Sequence, residues 1–408
     1  MKKKKTVALF LAGIITVVTL AACGGGGASG GGTSSGGGQG TGTASTGEAA
    51  ADYTLEDLMG MEWSEIEELA KQEGEVIFTA WYNEAGYTEL LQKFEEKYGI
   101  KATLVVAGDA DFAQKALTER DNPVGTIDAC LIGNQIKTLL DGGTLAGPIL
   151  DKMESLEYLD PDSCKYQEGM LTNGYVVPLY FNQTGLLYNS RNFSADEVPQ
   201  TFEELEAYIE SHPGKFGFNV PEKGGSGQSF VHSVIAAKTG GIEQYYGDEA
   251  EDPAKTEKWS EVWEWLRAHR DQMVITTGNN DSISRVNQGE IDLTVAWNDD
   301  LDVARAAGEI GEWAILTVPE MGLAGGGDTL GMLANAPHKA AALLLINYLT
   351  SKEGQEAVVD ILAAIPIRTD MESVSGGLTA DDMKNRIAWF PIDYKTKMIQ
   401  DFNTEIMQ

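Results

Sequence analysis

The sequence predicts an α/β protein with mostly parallel sheets covered by helices on both faces, and three observations carry that prediction. Between residues 73 and 132, apolar runs of strand length alternate with amphipathic segments of helix length; this order buries a parallel sheet between helical layers. A later apolar stretch, "GYVVPLYFNQTGLLYNSRNF", contains Pro178 and the polar Asn182, Gln183 and Thr184. One central strand does not readily host that interruption, so the stretch reads as a strand leaving one sheet and entering another. Finally, the chain from about Tyr53 to Gln408 is too long for one small core and suits two lobes or one large domain.

The elements follow in order. Lys2, Lys3, Lys4 and Lys5 precede an apolar run, Val7–Leu20, of 14 residues. A bilayer span needs roughly 20, whereas a secretory h-region fits, so residues 1–22 are expected to be a signal peptide. "LAAC" at Leu20–Cys23 resembles the lipobox of bacterial lipoproteins. That resemblance implies that Cys23 receives a diacylglyceryl group and becomes the first mature residue; two acyl chains anchor stably where one does not. Residues 23–52, with more than half glycine over Gly24–Gly47, cannot bury enough apolar area to order themselves and read as a flexible tether.

"EGEVIFTAWYNE" places a strand at Val76–Ala80. "YTELLQKFEEKYG" sets Leu90, Leu91, Phe94 and Tyr98 at helical spacing and stops at Gly99. "IKATLVVAG" and "TIDACLIG" are further strands. "PQTFEELEAYIESHPG" opens with a capping box, Thr201 with Glu204. "KFGFN" is a strand, and "GGSGQSFVHSVIAAKTGG" a glycine-rich loop opening a helix that ends at Gly240. "SISRVNQGEIDLTVAWNDDL" reads as helix, turn, strand and polar loop. "EWAILTVPEMG" is a strand, and "GDTLGMLANAPHKAAALLLINYL" a strand and the helix Lys339–Leu349.

The net charge of −32 opposes binding to nucleic acid and attracts cations; solubility alone would also explain it. Cys130 sits in an apolar run and Cys164 stands apart, leaving both a disulfide and two free thiols open. His212, His232, His269 and His338 lack ligand spacing, so no metal or other cofactor is expected. "GGSGQS" is not Gly-x-Ser-x-Gly, since Gln228 replaces the last glycine counted from Gly224. Nothing selects a catalytic pair among 62 carboxylates. An enzyme is not expected.

Four segments, "EGEVIFTAWYNEAGYTELLQKFEEKYGIKATLVV", "VPLYFNQTGLLYNSRNF…VPQTFEELEAYI", "VNQGEIDLTVAWNDD" and "LANAPHKAAALLLINYLTSKEGQEAV", span about residues 70–360. In that order they resemble the family 1 extracellular solute-binding proteins, the receptor components of bacterial ABC importers. The resemblance implies a class II periplasmic-binding-protein fold, two α/β lobes joined by crossover strands, with a second crossing near Asn298. It places residues 70–181 plus 299–330 in lobe I and 182–298 plus 331–408 in lobe II. Expected partners are a small solute, a permease with its ATPase, and the membrane through the anchor at the outer face of the bacterial cytoplasmic membrane. The protein is expected to be a monomer.

In such folds ligands lie beyond the carboxyl ends of strands, which selects four loops. "AWYNE" offers Trp81, Tyr82, Asn83 and Glu84, with simple packing of Trp81 as the alternative. "IGNQ" offers Asn134. "GGSGQSF" puts Ser226, Gly227 and Ser229 at a helix N-terminus, which attracts anions or carbonyl oxygens; a plain serine-capped turn is the alternative. "AWNDD" offers Trp297, Asn298, Asp299 and Asp300, and solvation explains at least one of the two acids. The glycines of Gly325–Asp328 are expected at the floor of the cleft. Tryptophans with carboxylates suit a small organic cation. The resemblance implies polyamine- or thiamine-like ligands, with a sugar, an anion or a sensory role beside a membrane kinase as alternatives. Iron receptors of the family use paired tyrosines, and Tyr180 and Tyr188 form no adjacent pair in the sequence.

Overall fold

A computed structural model of the chain describes residues 53–371, 375–379 and 381–408. The signal peptide at 1–22, Cys23 and the tether at 23–52 lie outside the described residues.

Two sheets carry the fold. The first has six strands, running Lys101–Val106, Glu75–Ala80, Ala129–Ile132, Thr329–Leu333 and Leu145–Ala146, with Val176–Pro178 also paired to Thr329–Leu333. The second has eight, running Met273–Thr276, Phe216–Asn219, Leu293–Trp297, Tyr180–Asn189, Leu323–Gly326 and Arg386–Ile387. Ala314–Thr317 and Ile365–Pro366 pair with Tyr180–Asn189 beside that path. Each sheet is parallel where strands alternate with helices, as between Glu75–Ala80 and its neighbours. Each becomes antiparallel around its strand of crossing, because Tyr180–Asn189 and Thr329–Leu333 oppose every strand they pair with. The sheets are therefore mixed.

The helices close where the sequence predicts. Glu84–Tyr98 buries Leu90, Leu91 and Phe94 and ends on Gly99, whose φ of 72° suits glycine. Thr201 Oγ1 accepts from the Glu204 amide, and the Glu204 carboxylate accepts from the Thr201 amide in return. Lys339–Thr350 is apolar around its circumference and buried from Ala340 to Thr350, as expected of a helix with no solvent face. Its first turn is met by the Glu73 carboxylate, which accepts from the Ala340 and Ala341 amides at 3.2 and 2.7 Å. One difference is local: "NDDL" is the first turn of a helix, Asn298–Ala306, not a loop. Among the described residues no helix is long and apolar enough to cross a membrane, and Cys130 and Cys164 are free thiols.

The chain passes between the sheets at Leu179, again at Gly327–Asp328, and a third time between Leu362 and Ile365. The expected second crossing near Asn298 is thus corrected to Gly327–Asp328. The strand pairing also redistributes the expected lobe segments. Residues 314–326, expected in lobe I, belong with the second sheet, and 331–333, expected in lobe II, belong with the first. The helices Lys339–Thr350 and Lys352–Leu362 pack on the first-sheet side, and Ile392–Glu405 packs on second-sheet helices. The physical reason lies in "AGGGD". The first two crossing segments lie against each other, with the Leu179 amide donating to the Asp328 carbonyl at 3.0 Å. A Cβ on Gly327 would stand 1.6 Å from the Tyr180 carbonyl oxygen, so only glycine passes there.

Candidate functional site

The loops after the carboxyl ends of strands from both sheets face one cavity of about 730 Å³. From the first-sheet side come Trp81, Tyr82, Gly133 and Asn134; from the second come Gly225, Gln228, Asn279, Trp297, Asp299 and Asp300. Asn182, Gly326, Gly327 and Asp328 form the crossing floor, with Glu168, Trp389 and Lys395 closing one side.

Local geometry decides which predicted residues reach the cavity. Asn83 does not: it takes a left-handed backbone (φ 49°) and its Oδ1 accepts from the Gly86 amide, capping the helix behind Trp81 and Tyr82. Glu84, the first residue of that helix, is exposed and does not line the cavity. Asn134 lines the cavity and accepts a hydrogen bond from Lys395 Nζ at 3.1 Å.

The expected ligand contacts of Ser226, Gly227 and Ser229 are corrected. Ser226 Oγ is buried against Asn219 Oδ1 and Asn279 Oδ1 at 2.6 and 2.9 Å. Ser229 Oγ is buried between Thr184 Oγ1 and the Ala324 amide. Gly227 packs on the Asn219 carbonyl. These residues weld the helix Gly225–Thr239 to the second sheet, and Gly225 and Gln228 of its first turn face the cavity instead. Asn298 is likewise structural, accepting from the Gln183 amide at 2.6 Å and donating to Ser375 Oγ at 2.7 Å.

The cavity is acidic. Burial pushes the Asp328 carboxyl up to about 7, with Asp109, Glu168 and Asp299 adding repulsion and the Tyr180 hydroxyl opposing the rise. Burial and then Asp299 push Asp300 up to about 6, and burial raises Asp299 although it sits in a helical first turn. Among the described residues, Asp300 Oδ2 and Asn182 Oδ1 are buried without a hydrogen-bond partner. Asn182 Nδ2 donates to Asp299 at 3.2 Å. The aromatic walls are Trp81 with Tyr82, centroids 4.4 Å apart, and Trp297 with Trp389, 6.4 Å apart.

Two features escape the sequence reading. Tyr180, an inward residue of the crossing strand, donates to Asp328 and shares a hydrogen bond with the Tyr82 hydroxyl. A tyrosine pair does therefore exist, formed by Tyr82 and Tyr180, 98 residues apart. Burial raises both phenols. The wall of Glu168, Trp389 and Lys395 comes from a short hairpin, the loop 388–391 and the C-terminal helix, which no strand-end rule selects.

The model of the bacterial extracellular solute-binding protein family matches residues 89–386. No curated protein sequence matches the chain. Solved structures share the fold at low identity. PotD of Streptococcus pneumoniae, the substrate-binding protein of a spermidine/putrescine ABC transporter, is 15% identical with a TM-score of 0.59 over 82% of this chain and 98% of its own. A solute-binding protein of Thermotoga lettingae bound to α-D-tagatose is 17% identical, TM-score 0.60, over 81% and 93%. Iron-bound HitA of Pseudomonas aeruginosa is 19% identical, TM-score 0.55, over 80% and 98%. The fold is thus that of class II periplasmic binding proteins, shared by receptors of unlike ligands.

Proposed function

The chain belongs to the family of bacterial extracellular solute-binding proteins, exported binding proteins and not enzymes, and from that premise we propose that it captures a small organic cation. The solute is polyamine- or thiamine-like, and the receptor, tethered through a lipidated Cys23, delivers it to an ABC permease. One observation carries the ligand class: among the described residues, four carboxylates, Glu168, Asp299, Asp300 and Asp328, face the cavity against a single basic side chain, Lys395, which is already paired with Glu168. Ring faces of Trp81, Trp297 and Trp389 stand beside them. A desolvated cation over such a face gains about 0.5–2 kcal/mol, and an ammonium offsets the burial that raises Asp299, Asp300 and Asp328. The solute bridges groups from both sheets, so the closed state gains contacts that the open one lacks, and its population rises.

A ferric ion is the second reading, favoured by the cluster of the Tyr82 and Tyr180 hydroxyls with Asp328. The organic cation is preferred because those phenols are buried, hydrogen-bonded and held above their usual range, away from the phenolate that iron requires.

Thermal unfolding of the protein without signal peptide and tether tests both. Binding only to the native state adds about 2.7 kcal/mol at a hundredfold excess over Kd. A shift with putrescine, spermidine or thiamine is the expected result. A shift only with ferric citrate, tagatose or phosphate overturns the ligand class; no shift with any of them turns attention to a sensory partner. Trp297→Ala should then weaken cation binding roughly 2- to 30-fold while unfolding stays cooperative. Loss of the cooperative transition would instead make Trp297 a packing residue.

A further inference from the structure

Lys395 is the one basic side chain among the described residues lining the cavity, and it is held as an ammonium solute would be. Its Nζ lies 2.9 Å from Glu168 Oε2, 3.1 Å from Asn134 Oδ1 and 4.5 Å from the centroid of the Trp389 ring. A carboxylate, an amide oxygen and an aromatic face together make a cage for a primary ammonium.

The three walls come from different parts of the fold. Asn134 follows the first-sheet strand Ala129–Ile132, whereas Lys395 and Trp389 belong to the C-terminal segment packed on second-sheet helices. Glu168 sits at the turn of a hairpin, Tyr166–Gln167 with Met170–Leu171. The cage is built rather than incidental. Lys395 is only 8% exposed. Glu168 adopts φ 48°, a left-handed conformation uncommon outside glycine. Gly169 beside it abuts the backbone of 389–391, where a Cβ would meet Pro391 N at 2.6 Å. Tyr394 is fully buried, and its hydroxyl donates to Asp248 at 2.6 Å, fixing the turn that bears Lys395. Removing an ion pair from water is expensive, and an apolar residue of similar size would often stabilise as well.

We propose that Lys395 is a tethered ammonium that latches the cleft when no solute is bound. It occupies Glu168, so that a solute's charged group is directed to Asp299, Asp300 and Asp328. The latch stands without the cationic-ligand reading; the effect on selectivity rests on it.

The test uses two variants. In Lys395→Ala the vacated cage should admit propylammonium, so that propylammonium chloride raises the melting temperature above that in equal sodium chloride. Wild type and the double variant K395A/E168Q should not respond. In Lys395→Met, which keeps the length without the charge, the unliganded radius of gyration from X-ray scattering should increase. The affinity ratio of spermidine over ethanolamine should rise by about tenfold or more, the scale of one charge-assisted contact. No response of K395A, or an equal response of wild type, overturns the cage. Should K395A not fold, an unchanged radius of gyration and affinity ratio in K395M overturn the proposal. Rescue by propylammonium together with a wild type that binds no cationic solute would sustain the latch and refute the ligand class.

Discussion

Replacing Asp328 by Asn should weaken cation binding about 10- to 100-fold at pH 8, because a charge-assisted hydrogen bond contributes roughly 1.5–3 kcal/mol. The same change should stabilise the solute-free protein. The two effects share one cause. Burial lifts this carboxyl to about 7, against about 3.9 in an unfolded chain. Between those values the native state holds a proton that the unfolded state has released. Stability therefore falls as pH rises through this window, and the loss is complete above about 7. Asp300, lifted to about 6, acts in the same direction over a narrower range. If the solute is the proposed cation, it favours the deprotonated form, so affinity should climb from pH 6 to pH 8, with proton release on binding. Calorimetric titration at three pH values, in buffers of unlike ionisation heat, reads both quantities. Asp328→Asn should lose much of the pH dependence. If it keeps the wild-type affinity and slope, Asp328 serves only the crossing, as the partner of Tyr180.

How much of this was legible beforehand depends on what each signal encodes. The strand-end rule selected loops that face the cavity, and Trp81, Tyr82, Asn134, Trp297, Asp299 and Asp300 line it. It could not say which side chains of a loop turn inward. Asn83 and Asn298 look as fit for a ligand as Asn134, but their amides bond backbone and neighbouring side-chain groups that the sequence does not display. Tyr180, Glu168, Trp389 and Lys395 meet only through the tertiary fold, across separations of up to 227 residues. The crossing was misplaced for a related reason: "AWNDD" has the polar look of a hinge, whereas the signal that mattered was the run of glycines in "AGGGD". Those glycines mark close backbone approach, and Gly325 and Gly326 pair directly with Gln183 and Asn182.

The helix start "GGSGQS" offers the sharpest test of this distinction, because two of its glycines should behave in opposite ways. In Gly227→Ala the new Cβ would stand 1.8 Å from the Asn219 carbonyl oxygen. That oxygen belongs to a buried strand end, so relief requires the helix Gly225–Thr239 to move off the sheet. Overpacking of this kind costs about 1–3 kcal/mol and more where backbone must shift, exceeding the roughly 1 kcal/mol that alanine gains over glycine in a helix. Gly225→Ala meets a different neighbour, the Trp297 ring at 2.8 Å. A half-buried side chain at the cavity wall can rotate away, so stability should change little while the cation site is reshaped. Urea unfolding and solute titration on the two variants should therefore separate: Gly227→Ala loses stability, and Gly225→Ala loses affinity. The reverse pattern would return Gly227 to the ligand and make Gly225 a packing residue. A loss of stability in both would mean that Trp297 cannot yield and that this wall of the cleft is as rigid as the core behind it.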